Sequence, residues 1–252
     1  MTEDRGMIAR IIEQGASELG INLPPGADSA FDTYHAFLEQ RSENVNLTAI
    51  KGAEDVARLH FLDSLALLRV TDFKNARVID IGSGAGFPGV PLKLAEPSIE
   101  LTLLDASKKR VAFLTDLCAA LYIDAECVHA RAEEFAHGPD MREKFNIVAS
   151  RAVARLNVLC ELCLPYVSIG GKFLAMKGVD SAEELDEARY AIHSLGAEPG
   201  EICGYAIPET DIKRSIIVIR KTEITPNAYP RRYAKMKKSP ITDERLPKII
   251  GN

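Results

Sequence analysis

The chain has 252 residues, of which 46% are hydrophobic and 27% charged, the balance of an ordinary globular protein. No run of 18 apolar residues occurs, which argues against a transmembrane helix, and residues 1–5 lack the basic start and apolar core of a secretory signal. Five cysteines without a disulfide-like spacing fit a reducing compartment. We therefore expect a cytoplasmic protein with one large α/β domain, alone or with a helical appendage.

The first 70 residues predict helices. Apolar residues recur there with a helical period, and a Pro-Pro-Gly sequence at 24–26 interrupts the pattern. The predicted helices lie at about residues 7–19, 31–43 and 54–70. We interpret residues 1–72 as a helical cap that packs on the rest of the chain.

A short β-branched run (Val78, Ile79, Ile81) is followed at once by glycines 82, 84 and 86 and then by a helical segment. This order of strand, glycine turn and helix brings a ligand close to backbone N–H groups. A dinucleotide fingerprint needs glycine at position 87, where the chain has Phe87. The spacing, with Asp80 before it, instead resembles the S-adenosylmethionine (AdoMet) loop of class I methyltransferases. An acidic strand end suits the cationic amino-acid and sulfonium groups of AdoMet.

Asp105 ends the next apolar run, 23 residues after Gly82. An acidic side chain at this position can accept hydrogen bonds from ribose hydroxyls. The alternative is a helix N-cap for the segment that begins near Ser107, and the two roles are compatible. The agreement in spacing favours nucleoside binding.

Residues 73–222 alternate between predicted strands and helices, which requires a mainly parallel sheet covered on both faces. The last two strands have no helix between them and predict an antiparallel edge hairpin. The predicted strands are 77–81, 100–104, 125–129, 145–149, 172–176, 202–207 and 214–220, and the helices are 88–95, 107–121, 155–164 and 181–195. Seven such strands resemble the Rossmann-like class I AdoMet-dependent methyltransferase sheet.

The C-terminal part is strongly basic. Residues 213–238 contain nine Lys or Arg and one acid, Glu223, in a chain of net charge −5. Because residues 239–252 are balanced, residues 1–212 carry −13. A basic tail (223–252) on an acidic body indicates a polyanion partner, although a solubilising tail is the alternative. Tyr229 and Tyr233 between the bases predict some nucleobase stacking.

Together these motifs identify a family. The matching stretches are Asn46–Ile50, Arg58–Ser64, the glycine loop to Leu92, Leu103–Leu114, Arg131–Phe135, Ser150–Ala154, Leu174–Gly178 and Thr225–Arg232. The chain resembles the bacterial 16S rRNA guanine-N7 methyltransferases, also called glucose-inhibited division protein B. The resemblance implies AdoMet as cofactor and the 16S rRNA of the small ribosomal subunit as partner, and we expect a monomer. The tail departs from the family where Tyr233-Ala234-Lys235-Met236 replaces a glycine-containing turn.

The resemblance also implies roles for individual residues. The cofactor-binding set comprises Asp80, Gly82, Gly84, Gly86, Phe87, Asp105, Ala132, Glu133 and Arg151. The set near the reacting base comprises Arg151, Arg131, Lys109, Asn46 and His60. The RNA-binding set comprises Arg214, Lys221, Arg231, Arg232, Lys235, Lys237 and Lys238.

Each of these roles has a simpler alternative. A single Lys or Arg is usually a solvated or ion-paired surface base, and a lone histidine on an amphipathic helix is more often structural. Asn46 fits a helix cap or turn. Phe87 fits core packing. The lone Cys160-x-x-Cys163 pair lacks the second ligand pair of a zinc site, so we expect buried thiols and no metal.

The expected chemistry needs no general base, because guanine N7 carries a free lone pair and no proton. The chain has Val148-Ala149-Ser150-Arg151 after the fourth strand, not the Asn-Pro-Pro-Tyr type motif of amino methyltransferases, and it has no Pro-Cys nucleophile. Two alternatives stay open. One is a methyltransferase of another RNA or a small molecule, and the other is a non-catalytic, AdoMet-responsive RNA-binding assembly factor.

Overall fold

The computed structural model of the protein describes residues 6–42, 47–48, 50–151 and 154–242. The helices are α1 (Met7–Glu18), α2 (Ala27–Ser42), α3 (residues 53–69), α4 (Gly89–Ala95), α5 (Lys108–Ala120), α6 (Ala132–Phe135), α7 (Leu156–Cys163), α8 (Ser181–Ser194) and α9 (Tyr233–Lys238). Seven of these helices correspond to the sequence-based ones, and two short helices are additional: α6, which follows β3, and α9 within the basic tail.

Helix α3 is not regular. It begins as an α-helix (Ala53–Val56), widens into a π-helix (Ala57–Leu62), and ends with an α-helical turn (Asp63–Leu65) and a 3-10 turn (Ala66–Arg69). Turns of π-helix are rare and occur mostly at functional sites. Apolar periodicity predicted this helix but carries no signal for the widened turn.

The seven predicted strands form one sheet. They are β1 (Arg77–Ile81), β2 (Glu100–Asp105), β3 (Ala125–His129), β4 (Phe145–Arg151), β5 (Val167–Lys177), β6 (Ala197–Ala206) and β7 (Lys213–Lys221). Their order is β3-β2-β1-β4-β5-β7-β6. The first five strands pair in parallel, whereas β7 runs antiparallel to both β5 and β6. The predicted fold class is confirmed.

This strand order places a switch point between β1 and β4, where the chain turns from one half of the sheet to the other. In open α/β sheets, ligands bind outside the carboxyl ends of the strands at such a point. The glycine loop follows β1, and Arg151 ends β4. The fold therefore brings these two sequence features to one crevice.

Each face of the sheet has its own apolar cluster. One cluster joins α1 to α5 to the sheet through residues such as Ile12, Phe61 and Leu114. The other joins the sheet to α7, α8 and the end of the chain through residues such as Leu159 and Ile192. Cys160 and Cys163 are fully buried in the second cluster, and burial raises the pKa of both thiols. The predicted burial of these thiols is confirmed.

After β7, residues 225–241 return across the second face, and we call them the C-terminal strap. Arg142 donates hydrogen bonds to the carbonyl oxygens of Thr225 and Tyr229, at 2.8 and 2.9 Å. Met236 of α9 is fully buried. The strap is therefore packed on the sheet domain. None of the described helices has the length and apolar character that crossing a membrane needs.

Gly86 tests the packing between the cap and the glycine loop. Its φ is +102°, and a Cβ there would lie 2.5 Å from Tyr34 Oη and 2.9 Å from Val90 Cγ2. We expect Gly86→Ala to lower the free energy of unfolding by about 2 kcal/mol or more, because the backbone strain and the overpacking add. Urea unfolding followed by circular dichroism measures this. Gly204→Ala is the control, since a Cβ there meets no atom within 4 Å, and equal stability of both variants would contradict the packing described.

Candidate functional site

Two buried carboxylates hold the glycine loop. Asp80 Oδ2 accepts a hydrogen bond from Gly89 N at 2.9 Å. Asp105 Oδ2 accepts one from Gly84 N at 3.0 Å, and Asp105 Oδ1 accepts one from Ser107 N at 2.8 Å. Asp105 thus fixes both the loop after β1 and the turn that leads into α5. These contacts show a local structural role for Asp105, and its predicted nucleoside binding stays a prediction.

The second oxygen of Asp80 is buried without a partner. Asp80 has no exposed surface, and its Oδ1 has no hydrogen-bond partner in the described part of the chain. Burial raises the pKa of Asp80 to about 7, against the opposing effects of Gly89 N–H and Arg151. A buried unsatisfied carboxylate oxygen is costly, so a ligand that brings a cation there is favoured. The amino-acid ammonium of AdoMet supplies such a cation, and the site fits this cofactor.

A cavity of about 200 Å³ opens beside the loop at the carboxyl ends of β1, β2 and β3. Its lining residues are Ile81, Gly82, Leu104, Asp105, Ala106, Ala130, Arg131, Ala132, Glu133, Leu162 and Tyr233. Tyr166 Oη donates a hydrogen bond to the Ala132 carbonyl oxygen at 2.6 Å and fixes that part of the wall. Apolar walls with carboxylates at the edge suit a nucleoside.

The cavity brings together part of the predicted cofactor set. Gly82, Asp105, Ala132 and Glu133 line it, as does Arg131 from the predicted base-binding set. Gly84, Gly86, Asp80, Phe87 and Arg151 are outside this lining. They form the loop itself and the adjacent crevice toward β4.

Phe87 lies in the core beneath that crevice. Its side chain is 5% exposed, and its ring stacks on Tyr34 with centroids 5.4 Å apart and on His60 at 4.5 Å. The guanidinium carbon of Arg151 lies 4.8 Å from the centroid of the same ring. Phe87 thus packs in the core and against Arg151, and its predicted contact with the cofactor stays a prediction.

Arg151 is held by residues of α3. Its Nη1 donates to the Leu59 carbonyl oxygen and to Asp63 Oδ2, both at 3.3 Å, and its Nη2 donates to His60 Nδ1 at 3.1 Å. The π-helical turn carries both Leu59 and His60. The irregular helix in the cap therefore fixes the arginine at the end of β4.

The contacts of His60 determine its protonation. Arginine can only donate, so Nδ1 of His60 accepts, and Nε2 carries the proton that is donated to Thr48 Oγ1 at 2.6 Å. Burial and the charge of Arg151 lower the pKa of His60 to about 3. The imidazole is therefore neutral at physiological pH and orients Arg151.

Asp63 balances the positive charges of this crevice. It is buried, and its Oδ1 accepts a hydrogen bond from Tyr205 Oη at 2.7 Å. Arg214 Nε lies 4.0 Å from the same oxygen. The fold thus brings the predicted residues Arg151 and Arg214 together around one carboxylate. Sequence reasoning missed Asp63 and Tyr205, because Tyr205 is 142 positions from Asp63 and carries no motif.

The other basic residues predicted near the reaction centre, Arg131 and Lys109, lie at the surface. The Arg131 side chain is 60% exposed and lies 3.8 Å from Glu133. Lys109 is exposed on the first turn of α5 and does not line the cavity. Asn46 lies outside the described residues.

Two predicted RNA-binding residues have structural contacts instead. The prediction is wrong for Lys221, which is 1% exposed and whose ammonium donates to Thr225 Oγ1 and two backbone carbonyls and pairs with Glu143. Burial lowers its pKa to about 8. Arg231 is paired with the fully buried Glu161 at 2.6 and 2.8 Å. Both bases hold the strap, and charge counting alone could not separate them from free bases.

The remaining bases of the tail are free of such contacts. Arg232, Lys235, Lys237 and Lys238 are exposed, and none of them pairs with a carboxylate in the described part of the chain. Tyr229 and Tyr233 pack against the second apolar cluster. Their rings contact the sheet domain and stay partly exposed, and the predicted nucleobase stacking remains a prediction.

Comparison with known proteins gives one consistent family. The family model described as "GidB: rRNA small subunit methyltransferase G" matches residues 27–212. A protein of Acetivibrio thermocellus named Ribosomal RNA small subunit methyltransferase G is 42% identical over 96% of this chain and 100% of its own length. One of the same name from Alkaliphilus oremlandii is 44% identical over 92% of this chain and 98% of its own.

The chain belongs to the GidB family. Solved structures agree on the fold. A methyltransferase from Pyrococcus furiosus has a TM-score of 0.50 at 10% identity and covers 75% of this chain and 97% of its own. A methyltransferase of Haloferax volcanii, solved with the Trm112 activator, has a TM-score of 0.52 at 16% identity and covers 77% and 98%. Both have the fold of AdoMet methyltransferases, and the cofactor of the GidB protein described here is AdoMet.

Within the described ranges, no three His, Cys, Asp or Glu side chains are arranged to hold a metal ion.

Helix α9 and Tyr233 lie beyond the part that the family model matches. Tyr233 was identified from the sequence only as an aromatic residue among bases, so its place in the cavity wall is a finding of the structure.

The contacts of His60 give a prediction for its titration. We expect His60 to stay neutral, with the proton on Nε2, down to about pH 5, because its pKa is about 3. Nitrogen-15 chemical shifts of the imidazole measure both protonation and tautomer. An Nδ1 proton, or protonation of His60 near pH 6.5, would contradict the Arg151 contact.

The raised pKa of Asp80 gives a second prediction. Its carboxylate forms as pH rises through about 7, and only the charged form attracts an ammonium group. We therefore expect AdoMet affinity to increase roughly fivefold to tenfold between pH 6.0 and 7.5. Isothermal titration calorimetry gives the AdoMet affinity of wild type and of Asp80→Asn at each pH. Comparison of the two proteins separates the effect of Asp80 from protonation of the cofactor itself. A rise of the same size in both proteins would show that Asp80 is not the group responsible.

Proposed function

We propose that the protein transfers the methyl group of AdoMet to N7 of a guanine in 16S rRNA of the small ribosomal subunit. One observation carries the proposal: Arg151 at the end of β4 lies beside the cofactor loop, at the switch point of the sheet. The relatives named Ribosomal RNA small subunit methyltransferase G support it. We also propose that the protein acts as a monomer in the cytoplasm and without a metal.

AdoMet supplies a methyl group on a sulfonium, which is already activated for transfer to a nucleophile. Guanine N7 has a lone pair and no proton, so the protein has to align the two groups near 3–3.5 Å. The side chains around Arg151 suit this task. Both ring nitrogens of His60 are engaged, with Nδ1 accepting from Arg151 and Nε2 donating to Thr48, so no lone pair of the ring is left to act as a base.

Arg151 is the residue that we assign to the target base. Its guanidinium donates to three groups of α3 and stacks on Phe87, and its side chain is 16% exposed. A planar donor held rigidly in this way can contact the acceptor atoms of guanine. Asp105 and Glu133 would hold the nucleoside of the cofactor, and Asp80 its ammonium group. Arg131, Lys109 and Arg214 remain proposed contacts of the RNA on the same side.

The exposed bases of the strap are the second part of the proposal. Arg232, Lys235, Lys237 and Lys238 have no carboxylate partner in the described ranges, and the body of the chain is acidic. RNA phosphates are the polyanion that such bases bind, with an affinity that falls steeply as salt increases. A small-molecule methyltransferase has no use for this charge, which disfavours that alternative.

The test is transfer of labelled methyl from AdoMet to small ribosomal subunits that lack the modification. We expect label in 16S rRNA as 7-methylguanosine, identified by mass spectrometry of the digested RNA. Asp105→Ala should lower kcat/KM at least about tenfold, because it removes a cofactor contact and the hydrogen bond to Gly84. Asp116→Ala, a surface carboxylate of α5, should keep wild-type activity.

Two results would contradict the proposal. Label in another base or in no RNA at all, with cofactor binding intact, would reject the rRNA assignment and favour a small molecule. RNA binding without any methyl transfer would favour the non-catalytic assembly factor.

A further inference from the structure

The C-terminal strap contributes a wall to the cofactor cavity. Tyr233 lines that cavity together with Asp105, Ala132 and Glu133. Its ring packs against the second apolar cluster and stays partly exposed. An aromatic ring on an apolar nucleoside-sized cavity is placed to stack on an adenine, and the loss of such stacking weakens binding.

The strap is fixed on both sides of this ring. Before it, Arg231 donates its backbone N–H and its guanidinium to Glu161 of α7, at 2.6 to 2.8 Å, and Pro230 O contacts His137 Nε2 at 3.1 Å. After it, Met236 is fully buried. Tyr233 and Met236 are three positions apart, so they share the face of α9 that contacts the domain.

The exposed surface of α9 is cationic. Lys235, Lys237 and Lys238 are exposed, and Arg232 precedes the helix. Like charges three positions apart repel each other, and a helix of six residues has little stability of its own. The docked position of α9 thus depends on Tyr233 and Met236 inside and on charge compensation outside.

We propose that Tyr233 is an adenine-contacting residue and that α9 couples cofactor binding to rRNA binding. This inference depends on the proposed function for the identity of the polyanion. RNA phosphates on the exposed bases relieve their repulsion and stabilise docked α9, and a cofactor stacked on Tyr233 stabilises the same position. The two ligands therefore bind cooperatively, and by linkage each raises the affinity of the other by the same factor.

The direct test uses the full chain and S-adenosylhomocysteine, which has no methyl group to donate. Equilibrium dialysis with the labelled compound gives its Kd. We expect Tyr233→Ala to raise this Kd about tenfold, because the stacking surface is lost. Tyr233→Phe, the matched control, keeps the ring and should stay within about twofold of wild type. A wild-type Kd for Tyr233→Ala would overturn the contact with the cofactor.

A second measurement tests the coupling. Unmodified small subunits should lower the wild-type Kd for S-adenosylhomocysteine several-fold. Lys235→Ala/Lys238→Ala removes the repulsion between these two lysines, so the variant should bind the compound at least as tightly as wild type without subunits and lose most of the effect of subunits. Lys74→Ala, which changes an exposed lysine next to the amino end of β1, is the control and should keep the effect of subunits on the Kd. The same Kd with and without subunits in wild type would overturn the coupling.

Two further observations keep these results interpretable. Thermal unfolding of Tyr233→Ala shows whether α9 docking failed, and Tyr233→Leu then keeps the apolar contact while it removes the ring. Methylation of subunits by wild type is measured in parallel. If wild type forms 7-methylguanosine while Tyr233→Ala binds S-adenosylhomocysteine normally, only this inference fails. If wild type forms no 7-methylguanosine, the proposed function fails.

Discussion

Two buried carboxylates at neighbouring strand ends hold the glycine loop, and the site depends on them. Asp80 and Asp105 each bind a backbone N–H of the loop or its following helix. Asp80 Oδ1 is buried without a hydrogen-bond partner in the described part of the chain, and Asp105 lines the cavity. Burying charges this way costs stability. A cationic cofactor offsets the cost, so the folding of the loop and the binding of the ligand are linked.

A second polar cluster lies beside this site, at the carboxyl end of β4. Asp63 is shared by Arg151, Tyr205 and Arg214, and neutral His60 bridges Arg151 to Thr48. Because Leu59, His60 and Asp63 belong to α3, the helical cap is part of the site. Within the π-helical turn, the imidazole of His60 and the carbonyl oxygen of Leu59 both accept hydrogen bonds from the guanidinium of Arg151. The cap therefore contributes alignment, which is what a reaction without a general base requires.

Most of the fold could be predicted from the sequence. The strands alternate with helices at clear turn signals, and buried parallel strands show as continuous apolar runs such as 101–104. The glycine loop and Asp105 were predictable because their spacing along the chain follows from one strand, one turn and one helix. The resemblance to the family predicted Arg151 as a site residue and matched the tail at Thr225–Arg232. The structure confirms the sheet and the helices in this order.

Long-range pairs were beyond the sequence. Counting charges in the tail treated all its bases alike, yet Lys221 is buried against Glu143 and Arg231 against Glu161, 78 and 70 positions away. Tyr233 showed no period or motif, and its place in the cavity follows from how the strap crosses α7. Tertiary packing decides which Lys and Arg side chains of the tail are exposed and which are paired, and composition does not encode that packing.

A crystal structure of the complex with S-adenosylhomocysteine tests the central claim most directly. The account predicts the amino group of the ligand within hydrogen-bond distance of Asp80 Oδ1, and ribose hydroxyls at Asp105. A ligand bound elsewhere, or one that leaves Asp80 Oδ1 without a partner, would contradict the link between the buried carboxylates and the cofactor.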